Sequence, residues 1–356
     1  MGACLGIVTY SASNDHYACT VAVYLCYFLS SLEAENKRNK LASLTRSYNQ
    51  GSQTNFTECC QILCLAMSFQ TGYIWTNARM PYRVVQRYQG PLKAVVFDWA
   101  GTVVDCGVIA PVIAFQQVFE DEGVPITDEE TRGPMGTHKR THIETVLGYE
   151  SVRKRWNTKH GKDPTGQDID RMYQNFVPKQ KESLKEHCNV ISGAVKTVNH
   201  LRTKYKLKIG SSTGFTKPIM ETLSPIATKQ GYTPEFCATS DMAPRGRPSP
   251  NLLWLNAVHL DVSPIESIVK VDDTAGGITE GLTAGCWAVG VAKTGNYMAA
   301  TEEQLAKMEK GEYSKKLQAA YDKLTQAGAH YVIDSINDLP GVIEDINRRL
   351  ACGEKP

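Results

Sequence analysis

The chain has 356 residues, 42% hydrophobic and 21% charged, so it is long enough for a sizeable core and is not a disordered sequence. Lysine plus arginine number 39 against 37 acidic residues, and a net charge of +2 is too small to make nucleic acid or an anionic membrane the main partner. Eleven cysteines, six of them before residue 91 and the others scattered singly as Cys106, Cys188, Cys237, Cys286 and Cys352, fit reduced thiols in a cytoplasmic setting better than a disulfide framework.

Residues 1–90 read as a leader distinct from the rest of the chain. Their apolar run, residues 18–32, is shorter than the ~20 residues of a membrane-spanning helix and lacks the basic stretch that precedes the apolar region of a signal peptide. "MGACLG" opens like a myristoylation site but has Gly6 where serine or threonine belongs. "CCQILC" at 59–64 reads as buried helix rather than a metal knuckle, and Asn55-Phe56-Thr57 is a glycosylation sequon that matters only in a secreted chain. A targeting segment, a regulatory extension and a start placed upstream of Met80 all remain open.

From residue 91 the pattern is regular. A strand at 92–97 is followed by a long, mostly helical stretch to about residue 200. The strand-like runs "KLKIGSS", "FCATS", "SIVKVDD", "CWAVGVA" and "HYVIDS" then alternate with helices. This alternation predicts an α/β fold with a doubly wound parallel sheet. Residues 91–107 and 201–356 form the core domain in this reading, and 108–200 an inserted helical cap above the carboxyl ends of the strands.

Four motifs carry chemistry. "FDWAGT" (97–102) sets Asp98 at the end of a buried strand, where open α/β sheets place their active groups. The Gly-Thr turn after it, with the Thr102 hydroxyl, suits a phosphate and a metal ion. "KIGSSTGF" (208–215) ends a strand in hydroxyl residues and a glycine, offering Thr213 and the backbone at Gly214 to phosphate oxygens. "PRGRPSP" (244–250) has Pro248 suited to a helix's first turn and Arg247 just before it, whose planar fork fits an anion. "SIVKVDDTAGGITEG" (267–281) brings Asp272 and Asp273 to the same sheet edge as Asp98. Asp98, the carbonyl of Ala100 and Asp273 make a plausible set of hard oxygen ligands for Mg2+.

"FDWAGT" resembles the first motif of the haloacid dehalogenase superfamily, except that Ala100 stands where its phosphatases carry an acid. With "RGPMGTHKRTHIETVLG" (132–148) added, residues 92–350 resemble the phosphonoacetaldehyde hydrolases, phosphonatases of that superfamily. The resemblance implies Rossmann-type topology, a Mg2+ requirement, and cleavage of phosphonoacetaldehyde to acetaldehyde and phosphate. The small substrate is the only partner it implies, and a homodimer stays open. It makes Asp98 the nucleophile, Lys139 the imine-forming amine, Met135 and Gly136 the walls of the lysine's pocket, and His142 a nearby proton shuttle. His138 is read as a surface residue. The absent acid then has a reason: a carbanion leaving group needs an electron-withdrawing imine, whereas an alkoxide needs a proton.

Four positions depart from the family pattern. Asp272 replaces a glycine, Phe215 replaces a tyrosine, and Val108 replaces a cysteine, with Cys106 two residues earlier. Gly277 replaces an acid, which predicts a weakened outer shell of the metal site that an aspartate at 277 would restore and that Asp272 could supply instead. Two other functions compete. A phosphatase or phosphomutase acting on esters predicts an acid at position 100, where Ala100 argues against it; a non-catalytic binding protein that kept the fold after losing its outer metal ligand is opposed by the intact Asp98, Lys139, Arg247 and Asp273.

Overall fold

The protein is described by a computed structural model covering residues 73–74, 83–84 and 87–356; the expectations placed on the apolar run, Cys59–Cys64, the sequon and Met80 lie outside the described residues. Six strands form the sheet: β1 Ala94–Phe97, β2 Lys208–Ser212, β3 Phe236–Ala238, β4 Ile268–Asp272, β5 Trp287–Val291 and β6 Tyr331–Ile333. They lie in the order β3-β2-β1-β4-β5-β6 and every pair is parallel. β1 and β4 are buried at every position, the mark of a parallel sheet covered on both faces. Successive side chains part to opposite faces: Val95 and Phe97 join Val269 and Val271 in one apolar cluster, Ala94 and Val96 join Ile268 in another.

Five helices follow β1: α1 Ile109–Asp121, α2 Asp128–Arg132, α3 Lys139–Gly148, α4 Glu150–His160 and α5 Gly166–Glu186. Thr127 with Glu130 and Thr165 with Asp168 form capping boxes that start α2 and α5. Asp105 starts α1, its carboxylate oxygens accepting from the N–H groups of Ile109 and Ala110 at 3.0 Å each. α5 buries Ile169, Met172, Phe176, Gln180 and Leu184, spaced by three and four residues on one face, and packs on α1 with Phe176 against Phe115, ring centroids 4.3 Å apart.

The remaining helices are α6 Ala194–Lys204, α7 Lys217–Lys229, α8 Asn251–His259, α9 Ala275–Ala284, α10 Glu302–Lys307, α11 Lys310–Gln326 and α12 Leu339–Ala351. α6 packs against β2 and α12, so it belongs to the sheet layer. The segments leading into and out of the insertion are tied together there: Asp105 N–H donates to the Asn189 carbonyl (3.1 Å) and Ile191 N–H to that of Val103 (2.8 Å). The insertion therefore returns near residue 190 rather than 200, because the apolar spacing of α6 reads alike in either layer. Cys106, Cys188, Cys237 and Cys286 are free thiols. Cys352 is disulfide-bonded, so the expectation of reduced cysteines does not extend to it. Among the described residues, no helix is long and apolar enough to cross a membrane.

Candidate active site

The strand order reverses between β1 and β4, and a crevice opens at their carboxyl ends, the place where such sheets bind ligands. β1 leads directly into Asp98, which is buried; its backbone N–H donates to the Val271 carbonyl at 2.9 Å. Arg247 Nη1 lies 2.8 Å from Asp98 Oδ1 and 3.1 Å from Asp272 Oδ2. Burial pushes the Asp98 carboxyl above its usual range, against the pull of Arg247. Pro248 is not in the first turn of a helix as expected, since α8 begins at Asn251; the guanidinium is held instead by its own contacts inside the sheet edge.

Asp98, Asp272 and Asp273 bring carboxylate oxygens within 4.8 Å of one another, all buried. Two of the three are distinguished by their partners. Asp272 Oδ1 accepts from the N–H and hydroxyl of Thr274 (2.9 and 2.7 Å), and Oδ2 faces Lys270 Nζ at 2.9 Å as well as Arg247. Burial works to raise its pKa, but Arg247 and Lys270 together hold the carboxyl below the usual range. Among the described residues, no cation pairs with Asp273. Burial, then Asp272 and Asp98, push it well above the ordinary value. A Cβ on Gly101 would lie 2.2 Å from Asp273 Oδ2, so the Ala100–Gly101 backbone runs against that carboxylate. Hard oxygen donors with negative charge in surplus suit a divalent cation at Asp98, the Ala100 carbonyl and Asp273.

The cap closes the crevice from above. Gly136 has φ +90° and a Cβ there would meet Thr274 Oγ1 at 2.4 Å; one on Gly214 would meet the Thr137 carbonyl at 2.8 Å. Both positions need glycine because cap and core approach too closely there for a side chain. The cavity is lined from the cap side by Pro111, Met135, Gly136 and Lys139, and from the core by Asp98, Ala100, Thr213, Gly214, Arg247 and Thr274, with Val108 and Phe215 completing its apolar wall.

Lys139 is the first residue of α3 and only 2% exposed. Its Nζ sits 5.0 Å from the Phe215 ring centroid and 5.5 Å from that of Phe115. Burial brings the amine down to about 8, with Asp98 pulling the other way. The phenyl ring at 215 thus gives the lysine an apolar neighbour where a tyrosine would have brought a hydroxyl.

Three expected residues stand elsewhere than the sequence suggested. The Thr102 hydroxyl donates to Asp273 Oδ1 at 3.3 Å and does not line the cavity, because the turn after Asp98 folds toward β4. His142 is also absent from the lining: it is fully buried, stacked on Phe115 at 3.7 Å, with Nε2 2.8 Å from the Thr131 carbonyl. Burial and the Lys139 charge keep it neutral, its pKa well below the ordinary histidine value. His138 is half-buried rather than a surface residue; its Nδ1 caps α3 by accepting from the Arg140 N–H at 3.3 Å. Sequence reasoning missed Lys270, Glu280 and Asn296. The signal for the first was a lone lysine inside an otherwise apolar strand, a position charge avoids unless it is paired.

A buried aspartate at the switch point of a doubly wound sheet, beneath a helical insertion and within an acidic cluster, marks a hydrolase of the haloacid dehalogenase class. The model of the family "Haloacid dehalogenase-like hydrolase" matches residues 95–291. A phosphonoacetaldehyde hydrolase of Klebsiella pneumoniae is 46% identical over 270 residues, covering 74% of this chain and 99% of that protein. One from Syntrophobacter fumaroxidans is 42% identical over 269 residues, covering 76% and 97%. The crystal structure of a phosphonoacetaldehyde hydrolase-like protein from Oleispira antarctica superposes with a TM-score of 0.75 at 39% identity, covering 77% of this chain and 99% of that one. The chain belongs to the phosphonoacetaldehyde hydrolase family within the haloacid dehalogenase superfamily.

Proposed function

We propose that the protein hydrolyses the carbon–phosphorus bond of phosphonoacetaldehyde, releasing acetaldehyde and phosphate. The observation that carries this reading is the pairing of Asp98 with a buried, partly neutral Lys139 in one cavity, where Ala100 supplies no acid. The relatives' name supports the substrate.

The Lys139 amine adds to the aldehyde carbon and water leaves, giving a protonated imine. An Asp98 carboxylate oxygen attacks phosphorus. The electron pair of the breaking carbon–phosphorus bond moves into the imine to form an enamine, and the phosphoryl group rests on Asp98. Water hydrolyses the aspartyl phosphate. The enamine is protonated on carbon and the imine is hydrolysed, returning Lys139. Arg247, Thr213 and the backbone at Gly214 hold the phosphoryl oxygens. Met135 and Gly136 shape the aldehyde end, and the neutral His142 stacks behind it on Phe115. Asp98, the Ala100 carbonyl and Asp273 would hold Mg2+, which would supply positive charge beside the transferring group. The cap excludes water once closed and opens to exchange substrate and product.

Measuring acetaldehyde and phosphate released from phosphonoacetaldehyde, with and without Mg2+, tests the reading. Equal amounts of both products, dependent on Mg2+, are expected; a preference for simple phosphate esters would overturn it.

A further inference from the structure

Lys270 stands in the middle of β4 with no exposed surface. Its ammonium is 2.9 Å from Asp272 Oδ2, 3.4 Å from Glu280 Oε2, and donates to Ser212 Oγ at 2.9 Å. Glu280, on α9 and equally buried, accepts from Arg247 Nε and from the Ser212 hydroxyl, each at 3.0 Å. Arg247 Nη2 donates to the Ser212 carbonyl and hydroxyl. One edge of the guanidinium is therefore gripped from below while Nη1 reaches Asp98. Lys270, Glu280 and Ser212 do not line the cavity. Taking a lysine and a glutamate out of water costs several kcal/mol per ion, and a well-packed apolar pair often folds as stably. Folding alone gives no reason for the pair.

We propose that Lys270 and Glu280 are positioning residues for phosphoryl transfer, fixing the Arg247 guanidinium toward Asp98 and the Asp272 carboxylate beside it. The inference rests on the reading that a phosphoryl group is handled between Asp98 and Arg247. Glu280 anchors the Nε edge, so Nη1 stays turned toward Asp98, where the phosphoryl group would be transferred. Lys270 balances the charges of Glu280 and Asp272. Asp272 is then held by Lys270, Arg247 and Thr274 as an outer carboxylate, and Asp98 and Asp273 remain the ligands proposed for the metal.

The test uses the full chain carrying Glu280→Gln, and a charge-balanced pair, Lys270→Met with Glu280→Gln. Calorimetric titration with inorganic phosphate in Mg2+ should show affinity reduced about tenfold or more in each, the size of one lost charge-assisted hydrogen bond. kcat should fall further than KM rises. Borohydride trapping of acetaldehyde on Lys139, which needs no phosphate and keeps the Arg247 charge near the amine in both variants, should stay at the wild-type level. The balanced pair keeps the test decisive if Glu280→Gln alone fails to fold. A folded variant with wild-type phosphate affinity and kcat would overturn the proposal, and so would loss of trapping in step with kcat, which marks a collapsed site. Wild-type turnover run alongside separates the two readings: no acetaldehyde from phosphonoacetaldehyde would remove the reaction, while the phosphate titration still reports on Lys270 and Glu280.

Discussion

The carboxylate of Asp272 occupies the space that a side chain on Gly277 would need. A Cβ built on that glycine lies 1.9 Å from Asp272 Cγ. The two departures from the family pattern are thus one arrangement: an acid supplied from the strand end in place of one from the helix. This corrects the expectation that aspartate at 277 would restore the metal site, since it would collide with the acid already present.

Gly277→Ala should therefore destabilise the fold by about 1–3 kcal/mol, the usual cost of overpacking a rigid interior. Gly277→Asp should cost more, because it adds a buried carboxylate beside another, and should raise the Mg2+ requirement. Denaturant unfolding and a Mg2+ titration measure both. A Gly277→Asp protein that is as stable as wild type and needs less Mg2+ would show that Asp272 moves aside.

A second link runs from the cap to the acidic cluster. Arg132, at the end of α2, donates through Nη1 to the carbonyls of Gly107 and Asn296, at 2.8 and 3.2 Å. Asn296 Nδ2 returns a hydrogen bond to the Arg132 carbonyl, and the Asn296 N–H donates to Asp273 Oδ2 at 2.7 Å. Arg132→Ala should loosen cap docking and raise KM about tenfold, the effect of losing one or two such bonds, with a smaller change in kcat. An unaltered KM would mean the cap is held by the Gly136 and Gly214 contacts alone.

The sheet was legible in the sequence because buried parallel strands are short runs set between helical stretches and bounded by turn signals, and β1 to β6 all fall within runs that read as strands. Asp98, Lys139 and Arg247 were legible through motifs. The end of the insertion was not, because α6 has the same periodicity as the cap helices. The orientations of Thr102 and His142 were not legible either. Motif spacing places a residue on a turn or a helix, but whether its side chain faces the cavity depends on packing against β4 or Phe115. The Lys270–Glu280 pair was hidden for the same reason, since its partners come from β2, α9 and the loop carrying Arg247.

The buried Lys139 trades stability for reactivity. Its amine falls from the ordinary lysine value to about 8, a difference on the order of 3 kcal/mol in favour of the neutral form. Lys139→Met should accordingly fold and melt at or above the wild-type temperature at neutral pH, while losing all turnover. The sign is fixed by the direction of the shift: below about pH 8 the folded wild type carries a buried charge that methionine lacks. A marked drop in melting temperature would mean that the attraction to Asp98 outweighs burial.

Direct capture of the imine is the decisive prediction. Borohydride added during turnover should reduce it and fix the carbon skeleton to Lys139, located by peptide mapping. Trapping should strengthen as pH rises through about 8, where the amine becomes neutral. Asp98→Ala should abolish phosphate release yet still allow trapping, since imine formation precedes attack on phosphorus. Its loss also removes the carboxylate that raises the amine's pKa, so trapping at neutral pH should be at least as fast as in wild type. Lys139→Arg should abolish both trapping and cleavage, because guanidinium stays protonated to a pKa above about 12 and offers no nucleophile. The barrier should rise by on the order of 8 kcal/mol or more, the span between catalysed and uncatalysed reactions. Phosphonate cleavage by the Lys139→Arg protein would remove the imine from the mechanism and leave Ala100 without its chemical reason.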